Sequence, residues 1–481
     1  MQQSKLLEFL RTFSPRQLTR FREFLESPYF NKSAELLEFF DRIAPYGPGF
    51  DDPALAKDAL LRAAAGGKPL TEKRLAYLMN QLLGLAETFA AVETFRNDPL
   101  AERFSLVQAI SPGHSPRHYR SVQEKAALAL EQYPFRNAHF FAESYRLKAL
   151  QYWRFDTDQQ QLNQDLQPAS DALDAFFWVE KLRICWAMAD SENILNLQYD
   201  WGLGQWLLDY LDRQQPALHP TAEIYRTGLR MTQHPEDTAP YYQLKILLQH
   251  HEASFNEHEQ RFLYSSLINY CARRINRFND PKFSQEYLDI NKRMLERGLL
   301  FDKGLLSPWH YVNLANTALR TGDTGWALQF IEQYRNRLPA GYQDDLYFMA
   351  MGQYHYHRGE RAQAQVLLNQ ANPRDVQLAV LVRNLLTRIY YESGETELLL
   401  SFLEAYRVFL LRQVLLSAQM KQQARRFVDF TRRLAKIDRP EAHLLPKLKA
   451  ELPAPTGIFH RDWLERQIEQ KIAAFTGRGG Q

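Results

Sequence analysis

The chain has 481 residues, 45% of them hydrophobic and 24% charged, a balance that suits a folded polypeptide and excludes a disordered one. Its net charge of +3 is too small for this length to argue for nucleic acid or an anionic membrane as the partner. Only Cys185 and Cys271 occur, each in an apolar helical stretch, so neither a disulfide framework nor a cysteine zinc site is supported.

The opening MQQSKLLEFLRTFSPRQ has no uninterrupted apolar run, so no secretory signal is expected and the protein reads as cytoplasmic. Residues 1–95 read as an N-terminal helical module. Ser14 and Pro15 supply a cap and an N1 proline for a helix that places Leu18, Phe21, Phe24 and Leu25 on one face and ends at Ser27 and Pro28. Ser33 with Glu35 opens a second helix carrying Leu36, Leu37, Phe40 and Ile43, ahead of the breaker-rich PYGPGFDDP. A third, alanine-rich helix stops at Gly66 and Gly67, and Thr71 caps a long one with Leu75, Leu78, Met79, Leu82, Ala86 and Phe89 at helical spacing. The module carries 12 basic and 12 acidic side chains and so offers phosphate no net attraction.

Residues 100–300 read as degenerate helical-hairpin repeats. Pairs are predicted at 117–132 with 136–155, 171–189 with 193–213, 221–232 with 238–252, and 258–277 with 282–297, separated by prolines such as Pro134, Pro168, Pro216 and Pro235. Pro281 is placed to start the last helix after Asn279 and Asp280. Trp201 to Gly204 reads as a kink or close packing point within a helix. No stretch sustains period-two alternation, so no sheet is expected.

Residues 301–410 carry the clearest signal. Gly322, Gly359 and Gly394 lie 37 and 35 residues apart, each between two segments of helical length. Tyr311, Leu314, Ala315 and Ala318 precede the first glycine, and Ala327, Ile331, Tyr334 and Pro339 follow it. Phe348, Met351, Gly352 and His355 precede the second, with Ala364, Leu368 and Ala371 after it; the third keeps Thr387 and Tyr390, then Leu399, Leu403 and Tyr406. The pattern resembles the tetratricopeptide repeat, which implies an all-α fold, a right-handed α-solenoid of tetratricopeptide-like helix pairs attached to the N-terminal module. Residues 398–416 are the most hydrophobic stretch of span length, but Glu404, Arg407 and Arg412 interrupt it, so no membrane span is expected.

Residues 411–481 read as basic capping helices and a tail. From Arg407 to Arg439 nine Lys or Arg stand against Asp429 and Asp438, beside an apolar stripe of Met420, Ala424, Phe427, Thr431 and Leu434. Such a helix either solvates the end of the array or contacts nucleic acid through Arg425, Arg426, Arg432 and Arg433; the cap is the preferred reading.

Chemical motifs are wanting. The run His250, His251, Glu252, His258, Glu259 lacks the one-face spacing of a zinc helix, and His355 and His357 point to different helix faces. No nucleophile elbow, phosphate-binding loop or dinucleotide fingerprint occurs. No enzymatic activity, cofactor or metal site is expected.

The chain also resembles a family of bacterial helical-repeat proteins of uncharacterised activity, through the SPYFNK stretch at Ser27–Lys32 and LDAFFWVEKLRIC at Leu173–Cys185. That likeness implies architecture and no mechanism. The repeat likeness implies an inner face lined by the first helix of each pair, here Trp309, Asn313, Asn316, Arg320, Gln353, Tyr356, His357, Asn384 and Arg388. Tetratricopeptide domains that clamp a carboxylate pair a lysine with an asparagine; Asn316 matches the latter, but Val312 and Met349 stand at the lysine places, so that clamp is not expected. The expected function is a non-catalytic intracellular scaffold or adaptor that binds a protein or peptide on this concave face. The alternative is a regulator with a repeat-built sensor and a basic C-terminal helix on nucleic acid.

Overall fold

The computed structural model describes residues 4–62, 71–110, 115–152, 159–195, 197–278, 280–454 and 457–476. Among them are twenty-three α-helices and almost no strand, so the fold is all-α. The chain divides into two compact units, residues 1–183 with 209–222 and residues 184–208 with 223–481.

In the first unit, helices α1 (Lys5–Leu10), α2 (Pro15–Glu26), α3 (Ala34–Ile43), α4 (Lys57–Arg62) and α5 (Glu72–Asn97) enclose one aromatic-rich core. Ser14 and Gln17 form a reciprocal capping box at the start of α2, and the Thr71 hydroxyl accepts the Arg74 amide at the start of α5. Phe13, Phe21, Phe24 and Phe89 meet at ring separations of 5.3–6.3 Å, where edge and tilted contacts are favourable. Helix α5 is long and apolar enough to cross a membrane by composition; here Leu75, Leu78, Leu82, Ala86 and Phe89 bury its apolar side in this core. Gly66 and Gly67, assigned from sequence as the stop of the third helix, lie outside the described residues.

A second cluster in this unit joins α6 (Pro99–Ala109), α7 (Pro116–Glu131) and α8 (Ala138–Tyr152) through Phe104, Val122, Ala126 and Leu147. The sequence reading assigned no helix over α6, although Leu100, Phe104 and Val107 bury one of its faces. Helix α9 (Gln159–Leu195) runs through Pro168, which sequence took for a break. The next helix, α10 (Leu203–Gln214), begins only after Gly202, whose φ of 52° and hydrogen bond to Asp200 Oδ1 put the Trp201–Gly202 pair in a turn before the helix rather than inside one.

Helix α11 (Pro220–Gln233) begins in the first unit and continues in the second, which also holds α12 (Ala239–His251), α13 (Glu257–Phe278) and α14 (Lys282–Glu296); all four follow the predicted boundaries closely. Asn279, half of the expected cap before Pro281, is outside the described residues. Gly228 lets the indole of Trp186 lie against its backbone: a Cβ there would stand 2.4 Å from the ring. Trp186 Nε1 donates to Thr232 Oγ1, and the buried Asp190 carboxylate accepts from Thr232 and Ser266. Burial raises the Asp190 pKa above the ordinary range, opposed by hydrogen bonds from Ser266 and Thr232 and the charge of Arg273. A small hairpin follows, β1 (Phe301–Asp302) antiparallel to β2 (Leu305–Leu306), closed by Lys303 and Gly304 at φ of 49° and 79°. Two residues per strand are too few to leave the alternation that sequence reading looks for.

Then come α15 (Pro308–Arg320), α16 (Thr324–Tyr334), α17 (Gln343–His357), α18 (Arg361–Gln370), α19 (Val376–Glu392) and α20 (Thr396–Arg412). Each odd-numbered helix packs on the even one after it, and α15 touches α17, which touches α19. The three glycines have φ of 87°, 80° and 73°. At each, the glycine amide donates three residues back and the next amide five residues back: Gly322 to Leu319 and Asp323 to Ala318, Gly359 to Tyr356 and Glu360 to His355, Gly394 to Tyr391 and Glu395 to Tyr390. These are Schellman endings, which satisfy otherwise orphaned carbonyls and need the left-handed conformation that glycine adopts without penalty. The same ending occurs at Gly298 after α14, with φ of 75° and Leu299 bonded to Met294.

Helices α21 (Ala418–Lys436), α22 (Leu444–Ala450) and α23 (Arg461–Thr476) build a further core from Phe427, Leu434, Leu445, Leu448, Trp463 and Ile468. Helix α23 packs on α21.

Candidate functional site

The first helices α15, α17 and α19 lie side by side, and the segment leading into α23 closes over part of them. His460, the residue before α23, takes a φ of 52°, uncommon for a side chain of its size, while its carbonyl accepts the Leu464 amide and its ring packs edge-on against Phe427 at 5.3 Å. Between these parts is a cleft of about 420 Å³, lined by Asn316, Arg320, His357 and Arg388 from α15, α17 and α19 and by Ile458, His460, Arg461, Asp462, Trp463 and Arg466 from the C-terminal segment. A narrower hollow of about 180 Å³ adjoins it, sharing Asn316, His357, Arg388 and His460 and adding Val312, Asn313, Gln353, Tyr356, Leu381 and Leu385.

Seven of the nine residues assigned to the inner face therefore gather around two adjoining hollows. Trp309 lines neither. Asn384 is a correction: it is fully buried, and its Oδ1 accepts from the hydroxyl of Tyr406 at 2.9 Å, so it braces α19 against α20 and presents nothing to a partner. Its placement on the α19 face followed from helical periodicity alone, which cannot tell a groove from the seam beside it. Val312 and Met349, at the lysine places of a carboxylate clamp, are likewise buried.

A hydrogen-bond chain fixes the floor of the site. Arg388 Nη2 donates to the Tyr356 hydroxyl at 2.8 Å with its guanidinium over the Tyr356 ring, and that hydroxyl donates to Glu392 Oε1 at 2.6 Å. Trp463 Nε1 donates to the same oxygen at 2.7 Å, and Arg361 holds the other at 3.0 Å. Burial alone would raise the Glu392 pKa; the hydrogen bonds from Tyr356, Trp463 and Arg361 outweigh it and hold the carboxyl below its usual range. Burial pushes the Tyr356 hydroxyl up to about 12. His357 is pushed below its ordinary value by burial and by the positive charges of Arg388 and Arg320, and the same causes take His460 down to about 3. Both imidazoles are thus neutral at pH 7, and they could accept or donate a hydrogen bond there but bring no charge.

Sequence reasoning missed every contribution from 458–466. These residues lie at least 70 positions beyond Arg388 in the chain, and no local pattern marks a segment that returns to cover a distant face.

The chain matches no protein family model, no curated protein and no solved structure.

The other candidates from sequence resolve differently. Along α21, Arg432 pairs with Glu404 at 2.8 Å, Arg433 with Glu451 at 2.6 Å, and Arg426 donates to the Gly457 carbonyl at 3.1 Å, leaving Arg425 exposed. Three of the four arginines considered for nucleic acid are thus engaged within the chain. In the histidine-rich run, Glu252 pairs with Arg293 at 2.7 Å and with Arg297, and His250 Nδ1 meets the Ile246 carbonyl. Among the described residues no group of three or more His, Cys, Asp or Glu is gathered as metal ligands would be. Both cysteines are buried and neither is in a disulfide, and burial pushes the Cys271 thiol up to about 12, far from the thiolate that reactive cysteines need.

Proposed function

We propose that this protein is a non-catalytic binding protein, a right-handed α-solenoid of tetratricopeptide-like pairs that holds a protein or peptide along the face of α15, α17 and α19. The observation that supports it is the gathering of Asn313, Asn316, Arg320, Gln353, Tyr356, His357 and Arg388 around adjoining hollows. Amides, an aromatic ring and guanidinium groups on a rigid helical floor suit a peptide whose main chain is satisfied by the amides and whose side chains enter the hollows. The repeated glycine endings support the repeat reading, since identical joints stack successive pairs in the same way.

The test is capture of partners from a cell lysate by the intact protein, by Arg320→Glu with Arg388→Glu, and by Asn313→Trp. The reading expects a defined set of partners that the double variant and Asn313→Trp both lose while far-UV circular dichroism is unchanged. Equal recovery by all three proteins overturns it.

A further inference from the structure

The larger cleft carries more positive charge than a peptide floor requires. Among the described residues, Arg320 and Arg466 make no ion pair, and both are exposed at the rim. Arg388 gives one N–H to Tyr356, while its Nε is buried with no partner. Arg461 is held by Glu465 at 2.8 Å, and Asp462 is the one carboxylate in the lining. Glu392, at the end of α19, is committed to Arg361, Tyr356 and Trp463. Three unpaired guanidiniums against one carboxylate leave an excess of two positive charges in a concave site, where water screens them less than on an open surface. The first turn of α23, a 16-residue helix, opens into the same cleft and adds backbone amides and the positive end of its dipole.

An excess of two charges matches a dianion better than a single carboxylate. Guanidinium forks present paired N–H groups at the spacing of phosphate oxygens, and side-chain or backbone donors complete the shell. A volume of about 420 Å³ leaves room for the group that a phosphate is attached to. We propose that the cleft between Arg320, Arg388 and Arg466 binds the phosphate of a phosphomonoester as its dianion. The inference stands on the cation cluster and goes beyond the peptide reading.

The test is isothermal titration of the full-length protein at low ionic strength with inorganic phosphate, glucose 6-phosphate, and a phosphoserine peptide beside its unphosphorylated form. Saturable binding of phosphate is expected, weakening as salt rises and falling about tenfold or more in Arg320→Gln and in Arg466→Gln, since each removes a charge-assisted hydrogen bond. Both residues are exposed at the rim, so the variants keep the fold. Tighter binding of glucose 6-phosphate than of inorganic phosphate assigns the site to a free metabolite. Tighter binding of the phosphopeptide assigns it to a protein-borne group. No saturable binding of any of the three, or binding unchanged in both variants, overturns the proposal. Loss of partner capture by Asn313→Trp with no phosphate binding sinks this inference alone; phosphate binding with unchanged capture sinks the peptide reading alone.

Discussion

Gly352 offers the sharpest test of how α17 and α18 pack. It sits on the face of α17 that meets α18, and a Cβ there would stand 2.6 Å from Leu368 Cγ, 2.9 Å from Leu368 Cδ2 and 3.4 Å from the Ala364 carbonyl oxygen. Leu368 is 1% exposed and has no room to swing aside. Gly352→Ala therefore forces the two helices apart or Leu368 off its rotamer, which costs about 1–3 kcal/mol. Alanine's better helix propensity returns about 0.8–1 kcal/mol, so the net loss is about 0–2 kcal/mol. Gly84 in α5 is the control, because a Cβ there meets nothing within 4 Å; Gly84→Ala should gain up to about 1 kcal/mol by propensity alone. Urea unfolding followed by circular dichroism measures both. A double variant, Gly352→Ala with Leu368→Ala, should lose less than the two single losses added, because removing Leu368 removes the collision. A Gly352→Ala protein that gains as much stability as Gly84→Ala, or strict additivity in the double variant, refutes the reasoning.

Three further outcomes follow from named contacts. Tyr406→Phe deprives the buried Asn384 Oδ1 of its donor and should cost about 1–3 kcal/mol in urea unfolding; an unchanged midpoint would show that the bond contributes nothing. Asp323→Ala removes both the cap on the Trp326 amide and the 2.5 Å pair with Lys292, for about 1 kcal/mol from the cap at pH 7. The hydrogen bond from Lys292 first, and then the Trp326 amide and the Lys292 charge, hold the Asp323 carboxyl low against burial. Its contribution is therefore full above the unfolded value of about 4 and fades as pH falls through the lower folded value. The gap between Asp323→Ala and the parent should close on acidification from pH 7 to 3, and a constant gap would count against the linkage. Glu392→Gln weakens the acceptor shared by Tyr356, Trp463 and Arg361, so amide hydrogen exchange along 461–476 should speed up, and unaltered exchange there would show that α23 is held by other contacts.

Much of the fold was legible because its determinants are local. Apolar residues at helical spacing and Ser, Thr and Pro at helix starts located α2, α5, α7 and α11 to α14, and glycine marked the ends of α15, α17 and α19. Gly298 carries the same ending but was passed over, since the hairpin that follows it replaces the expected second helix. Pro168 misled because a proline in a helix removes one hydrogen bond, a loss that packing along a 37-residue helix can offset. The site was half legible: the periodicity of α15, α17 and α19 found seven of its residues, while Asn384 shows that a polar residue in register can serve the core. The other wall, from His460 to Arg466, is brought in by long-range packing of Trp463 and Ile468, for which no spacing in the sequence gives a sign.

The joints at Gly322, Gly359 and Gly394 have an evolutionary consequence. In each, one residue, Asp323, Glu360 or Glu395, donates the last hydrogen bond of one helix and stands as the N-cap of the next. No spare residue separates the two helices, so a single inserted or deleted residue at the joint unseats both ends at once and rotates every side chain beyond it by about 100° around its helix. The stretches between pairs, 338–342 and 371–375, carry no such double duty. Length variation among relatives of this chain should accumulate there and leave the glycine joints at constant spacing from their own helices.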